Sequence, residues 1–303
     1  MDDPKNTDND RALGFAIPDR HARGRVVRLG PTLDRVLAAH AYPPAIERLL
    51  AEALCLVALI GSTLKDPQAQ LTMQSRTEAG VVRLLVCDYR GGEVRGYVEF
   101  DAEQLAAAAP ADPTLDALFG QTYLAITFDL AATGERYQGI VPLDGTTLAE
   151  AAQSYFVQSE QIPSLVRIGI AKGADGGSVA GGLFLQHLPE GEDGRERLHT
   201  RLDHPEWEHV AALGQTIEAA ELADAALPLE ALLWRLFNED EVRVLGATPI
   251  VRGCRCDPDH IRTVLANFPV EERRAMADAE GLIRIDCAFC AQVFAVPAET
   301  VDG

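Results

Sequence analysis

Four of the six cysteines lie in the last fifty residues of this 303-residue chain, paired as GCRC (Cys254, Cys256) and DCAFC (Cys287, Cys290). Four thiolates are the usual donor set for a closed tetrahedral zinc ion, which asks for soft ligands and accepts any chain path that brings them together. The CxxC pair opposite a second close pair is a strong zinc signal; CxC is less usual. Three readings stay open on spacing alone: a permanent structural zinc, a redox or regulatory site, and thiol-disulfide catalysis. A catalytic zinc is disfavoured, because four cysteines leave no open position. Four thiolates on one divalent ion carry about two negative charges, which Arg252, Arg255 and Arg284 are placed to offset. A redox CxxC usually sits at a helix N-terminus after a strand, where the helix dipole lowers one thiol pKa. CAFC instead falls between the strand-like segments LIRID and QVFAV.

The other candidate groups are weaker. Cys55 in an apolar helix and Cys87 in an apolar strand read as small core residues. His21 and His40 lie near the N-terminal arm, and His187, His199, His204 and His209 scatter through a charged stretch. His260 follows the CxC pair and reads as a helix-surface residue, with a fifth ligand as the alternative. Glu135, Glu150 and the run NEDE (Asn238–Glu241) read as solvated acids, not general acids. No Ser/His/Asp or Cys/His set, Walker sequence or Rossmann fingerprint is present in a suitable context.

Composition narrows the function classes. A net charge of -19 and a pI near 4.7 repel phosphates and anionic lipid, so neither a nucleic-acid partner nor a membrane surface is expected. The start MDDPKNTDNDRALGF lacks the basic and apolar regions of a secretory signal. Leu49–Gly61 is too short to span a bilayer and is interrupted by Glu52, so it reads as a buried helix. A cytoplasmic location follows as the expectation, and clustered cysteines in a reducing compartment point to metal or redox chemistry.

The elements that must carry the cysteines follow from periodicity. Residues 1–22 are polar and charged and read as a disordered arm. Residues 23–189 read as an α+β core: a strand RVVRL, helices PTLDRVLAAH and PAIERLLAEALCLVALIGSTL, then strand pairs separated by helices. Thr147 and Glu150 form a capping box opening LAEAAQSYFVQSEQ. Residues 190–246 read as a metastable, mainly helical linker, whose best apolar face is Leu229, Leu232, Leu233, Leu236 and Phe237. Residues 247–303 read as a small zinc domain, with helices DHIRTVLANF and VEERRAMADAE and a hairpin of LIRID and QVFAV. So little core makes metal binding a large share of that domain's folding free energy.

With these residues in hand, the sequence resembles the 33 kDa chaperonin (heat-shock protein 33) family. The resemblance is carried by GERYQGIV (Gly134–Val141), SYFVQSEQIP (Ser154–Pro163), AGG (Ala180–Gly182), LLWRLFNEDEVRV (Leu232–Val244) and the closing CxC…CxxC, in order from about Arg25 onward. The acidic arm looks like an extension, and the glycine before Cys254 stands where the family often has a larger residue. The resemblance implies an α+β chaperone domain, a metastable linker and a C-terminal zinc domain. It implies one zinc per chain on Cys254, Cys256, Cys287 and Cys290 in the reduced state, and Cys254–Cys256 and Cys287–Cys290 disulfides on oxidation. Zinc release and linker unfolding would then expose apolar surface, and an ATP-independent holdase, typically a homodimer, would bind unfolding client proteins. It implies a binding protein, not an enzyme. The apolar face around Trp234, Leu236 and Phe237 is a candidate for client contact, with core packing the first reading for any one of these residues. A thiol-disulfide oxidoreductase using CAFC and a constitutive zinc-stabilised interaction module are the alternatives.

Overall fold

The computed structural model describes residues 9–108, 113–143, 145, 147–173, 176–188 and 204–298. Two strands, β1 (Arg11–Ile17) and β2 (Ala22–Leu29), lead into helices α1 (Pro31–Leu37) and α2 (Pro44–Gly61). The chain continues through β3 (Gln70–Arg76), β4 (Val82–Arg90), β5 (Glu93–Phe100), α3 (Ala102–Ala108) and α4 (Leu115–Phe119). The next hairpin, β6 (Tyr123–Leu130) and β7 (Glu135–Pro142), is followed by α5 (Leu148–Gln158) and a second hairpin, β8 (Ser164–Lys172) and β9 (Ser178–His187). Helices α6 (Pro205–Gln215), α7 (Ala219–Leu222) and α8 (Leu229–Phe237) precede strands β10 (Arg243–Pro249) and β11 (Val251–Arg252). The C-terminal module holds α9 (Pro258–Ala266), α10 (Val270–Met276), β12 (Leu282–Asp286) and β13 (Val293–Pro297).

These elements form an α+β fold with two main sheets. The first has strand order β10-β1-β2-β9-β8, the second β11-β5-β4-β3-β6-β7. Helix α2 packs against strands of both sheets. Its buried positions from Ile46 to Gly61 lie on every side, as expected for a helix with sheet above and below it. Proline at its first position pre-sets the helical φ. The capping box at α5 is present, with Thr147 accepting from the Glu150 amide and Glu150 accepting from the Thr147 amide.

The far face of the first sheet carries a second core. Leu13, Phe15, Ile17, Val26, Leu183 and Leu185 meet Trp207, Val210, Leu229, Leu232, Leu233 and Phe237 of the linker helices. The linker seat is therefore a substantial apolar contact: the four buried residues of α8 each contribute about 1.5–3 kcal/mol of burial. Helix α6 is lighter, burying Trp207, Val210 and Gly214. The AGG stretch of β9 explains how helices approach it from both sides. A Cβ on Gly181 would lie 1.9 Å from the Leu222 carbonyl oxygen of α7, and one on Gly182 would lie 2.6 Å from Leu59 Cδ1 of α2.

Two expectations are corrected. Residues 9–22 are not a disordered arm: residues 11–17 form β1, the second strand of its sheet, pairing with β2 and β10. The physical reason is the alternation of Leu13, Phe15 and Ile17, which faces the linker core. Asp10 fastens the strand's start, accepting from the Gly30 and Thr32 amides at 2.8 Å each. Residues 1–8 lie outside the described residues, as does the charged connector over 189–203. Secondly, no domain edge falls at residue 246, because β10 runs through it as an edge strand of the core sheet.

Candidate metal centre

Strand β11 pairs in parallel with β5, and the Gly253 amide extends that ladder by donating to the Val94 carbonyl at 3.0 Å. Gly253 fits here because a Cβ would lie 2.5 Å from Glu93 Cβ. Cys254 and Cys256 follow directly. Asp257 then caps α9, accepting from the Asp259 amide, with Pro258 at the first helical position. On the other side, β12 and β13 pair from Leu282↔Pro297 to Asp286↔Val293, and the turn between them carries Cys287 and Cys290. Three amides close this turn: Cys290 and Ala291 donate to the Cys287 carbonyl, and Cys287 donates to that of Gln292. The predicted hairpin around the second pair is thus present.

The structure brings all four sulfurs together, within 4.8 Å of one another. Cys254 and Cys256 are 3.3 Å apart, Cys254 and Cys287 3.5 Å, and Cys256 and Cys290 3.7 Å. A tetrahedral zinc with bonds of about 2.3 Å needs sulfur edges of about 3.8 Å, so the donor set fits with edge changes of no more than about 1 Å. The sulfurs lie within hydrogen-bonding distance of one another. Burial and hydrogen bonding to Cys256 push the Cys254 thiol well up, and burial raises Cys256. At Cys290 burial also pushes upward, but hydrogen bonds from the Gln292 amide and neighbouring thiols outweigh it and leave the thiol below its ordinary value. Binding a divalent ion here must displace protons, which ties affinity to pH.

Among the described residues, the module around the sulfurs has a core of Leu265, Ile283, Val296 and Ala298, flanked by Ile261, Ala266, Ala277 and Ile285. Its knuckle docks on the second sheet. Phe289 meets Tyr97 edge-on, with centroids 5.0 Å apart, and Arg95 lies over its ring at 4.0 Å. His40 Nε2 is 2.9 Å from the Ala288 carbonyl oxygen, and Arg255 bonds Gln70 and faces Glu93 at 4.0 Å.

Several candidates land elsewhere. Arg284 is engaged by Asp278 and Glu280 at 2.8 and 2.9 Å, not by the sulfurs. Glu150 is spent on its capping box, whereas Asp240 of NEDE is almost wholly buried and holds Arg20 and His209 at 2.8 and 3.0 Å. Cys55 and Cys87 are fully buried, and burial raises both thiols well above the reactive range. The His260 ring and His199 lie outside the described residues. No helix follows Cys290 among the described residues, so CAFC lacks the dipole that activates a redox thiol. The docking roles of His40, Arg95 and Tyr97 escaped sequence reading, since nothing local marks a partner about two hundred residues or more away. No helix among the described residues is long and apolar enough to cross a membrane.

Comparison with known proteins matches this arrangement. The model of the family described as Hsp33 protein matches residues 10–297. A 33 kDa chaperonin of Caulobacter vibrioides is 38% identical over 292 residues, covering 94% of each chain. One from Pseudomonas fluorescens is 35% identical, covering 97% of this chain and 93% of its own. The crystal structure of a 33 kDa chaperonin (heat shock protein 33 homolog) from Thermotoga maritima superposes with a TM-score of 0.76 at 23% identity, covering 97% of both chains, and so shares the fold. The relatives are named as chaperonins and not as enzymes. The chain belongs to the Hsp33 family.

Proposed function

We propose that this chain is a redox-regulated, ATP-independent holdase. Reduced, Cys254, Cys256, Cys287 and Cys290 hold one zinc ion as thiolates, and the C-terminal module stays docked. When bound, the metal supplies the cross-link that a four-residue core cannot. An oxidant such as hypochlorite takes two electrons from each near pair, forming Cys254–Cys256 and Cys287–Cys290 and being itself reduced to chloride. A disulfide sulfur is no longer a thiolate donor, so the module loses its cross-link. Residues 254–298 then unfold, the linker follows, and apolar surface becomes available to unfolding clients. The active species is a cytoplasmic homodimer in this reading.

The observation that carries it is the placement of four mutually close sulfurs in a module with almost no core of its own, joined directly to strands at the edges of both sheets. The test uses zinc-loaded, reduced protein, following metal release on adding hypochlorite alongside aggregation of a chemically unfolded client. Zinc loss and protection should appear together and reverse with reductant and zinc. Protection that is equal before and after oxidation would leave only a constitutive zinc-stabilised module.

A further inference from the structure

The outer face of the second sheet, away from α2, is arranged in cross-strand rows. One row is polar: Arg95, Asp88, Thr72, Thr127 and Gln138 stand in register across β5, β4, β3, β6 and β7. It is locked internally, with Arg95 on Asp88 at 2.6 Å, Thr72 donating to Asp88 at 2.8 Å and Gln138 donating to Thr127 at 2.7 Å. The adjacent row is largely apolar: Tyr97, Val86, Gln74, Ala125 and Ile140. It ends at the edge strand β7, where Ile140 is 58% exposed. At its other end sits Phe289, between Tyr97 and Arg95.

We infer that this face is the client platform, and that the Arg95–Tyr97 position is a subsite for an aromatic side chain of an unfolded polypeptide, filled by Phe289 in the docked state. This rests on the holdase reading above. An edge-on aromatic partner and a guanidinium over the ring recognise any phenyl group brought to that spot, with no demand on its flanking sequence. Phe289 itself belongs to a segment that loses its folded context when the sulfurs are oxidised, so the site empties when activity is required. Arg95 keeps its position without Phe289, because the buried Asp88 carboxylate holds it. The row also sets a spacing. Four interstrand steps of about 4.8 Å separate Tyr97 from Ile140, about 19 Å, which an extended peptide covers in about six residues. The preferred client segment therefore carries an aromatic residue and a second apolar residue about six positions away.

The test uses full-length oxidised protein and a labelled, flexible Gly/Ser/Lys peptide bearing one Phe and a Leu six positions on, with fluorescence anisotropy as readout. Tyr97→Thr, which keeps a β-favouring residue in the strand, should weaken binding of this peptide about two- to tenfold, the range of a lost aromatic pair. The same substitution should barely change binding of the matching Phe→Ala peptide. Strictly additive effects overturn the subsite. If Tyr97→Thr does not fold, Ile140→Ser at the exposed end supplies the equivalent cycle with the peptide's Leu, and additivity there overturns it equally. As an independent measurement, a benzophenone in place of the peptide Phe should form adducts with β4 and β5; adducts confined to the linker face of the first sheet overturn the assignment. Oxidised parent protein that protects no client sinks the holdase reading instead, whereas protection without coupling sinks only the platform.

Discussion

Gly181→Ala isolates the linker seat from the sulfur chemistry. The new methyl group would lie 1.9 Å from the Leu222 carbonyl oxygen, 2.5 Å from its carbon and 3.3 Å from the Ala223 amide nitrogen. All three atoms are backbone, so no rotamer change relieves the clash. Ordinary contact begins at 3.4 Å, so α7 must retreat by about 1.5 Å. That retreat lifts Leu222 and Ala223 from burial and pulls apart the bonds that buried Arg28 donates to the Leu222 and Leu227 carbonyls at 3.2 and 2.5 Å. Overpacking of this kind costs about 1–3 kcal/mol, or about 5- to 150-fold in the linker's opening equilibrium. Hydrogen exchange on reduced, zinc-loaded protein reads this directly. Amides of residues 205–237 should lose protection by that factor while those of β3–β7 keep theirs. Gly182→Ala is the control, because its methyl points the other way, into Leu59 and Cys55, and should lower protection across the core instead. If Gly181→Ala leaves linker exchange unchanged, or produces the same pattern as Gly182→Ala, α7 does not sit on β9 as described.

Three further outcomes follow from the structure. Glu52 of α2 is half-buried, accepting from the Ala149 amide at 3.1 Å, and desolvation raises its pKa from 4.5 to about 7. The folded state thus binds the proton more tightly, so this contribution is complete below about pH 4.5 and is lost as pH rises through about 7; Glu52→Gln should flatten that loss, gaining up to about 3 kcal/mol over the parent near pH 8 by urea denaturation. Phe15→Ala removes a fully buried ring 6.0 Å from that of Phe237, and should cost about 3–5 kcal/mol and lower the melting midpoint by on the order of 10 °C, whereas a disordered arm would lose nothing. Removing zinc from the reduced protein should open residues 254–298 to trypsin while the core strands stay resistant, and simultaneous cleavage throughout the chain would contradict a separately metal-dependent module.

The elements legible in the sequence were those whose pattern is local. Helix α2 shows itself by a long apolar run broken only by Glu52, α5 by its capping box, and the candidate metal centre by four cysteines in two close pairs. The motifs that carried the family likeness prove to be packing devices. Gly139 of GERYQGIV lies under the ring of Tyr155 from SYFVQSEQIP, where a Cβ would come within 1.9 Å of that ring. What was hidden depends on distant partners. Strand β1 is a short apolar alternation following a charged run, and averaging over its neighbours conceals it. Strand β10 has almost no buried side chain to signal it, being recruited by backbone pairing with β1. The docking trio His40, Arg95 and Tyr97 has no internal pattern because its meaning comes entirely from Ala288 and Phe289.

Strands β10 and β11 determine how the sulfur site connects to the rest of the chain. Residues 243–252 edge the first sheet as β10 and then the second as β11, and Cys254 comes two residues later. The metal centre is thus continuous with a strip that fastens the two sheets at their margins. The side chains of β10 and β11 are mostly exposed, so apart from the fully buried Ile250 between them the strip is held mostly by backbone pairing at an edge, where water competes readily. The linker helices, by contrast, have a real apolar seat on β1, β2, β8 and β9. In the proposed reading, loss of the sulfur cross-link would act first on the strip and reach the linker through β10, whose departure would strip β1 of one of its two pairing partners. The sequence expectation of a loosely packed linker placed the weak point in the helices. The edge strands between the linker and the cysteines, with few buried side chains of their own, offer a second place where opening can begin.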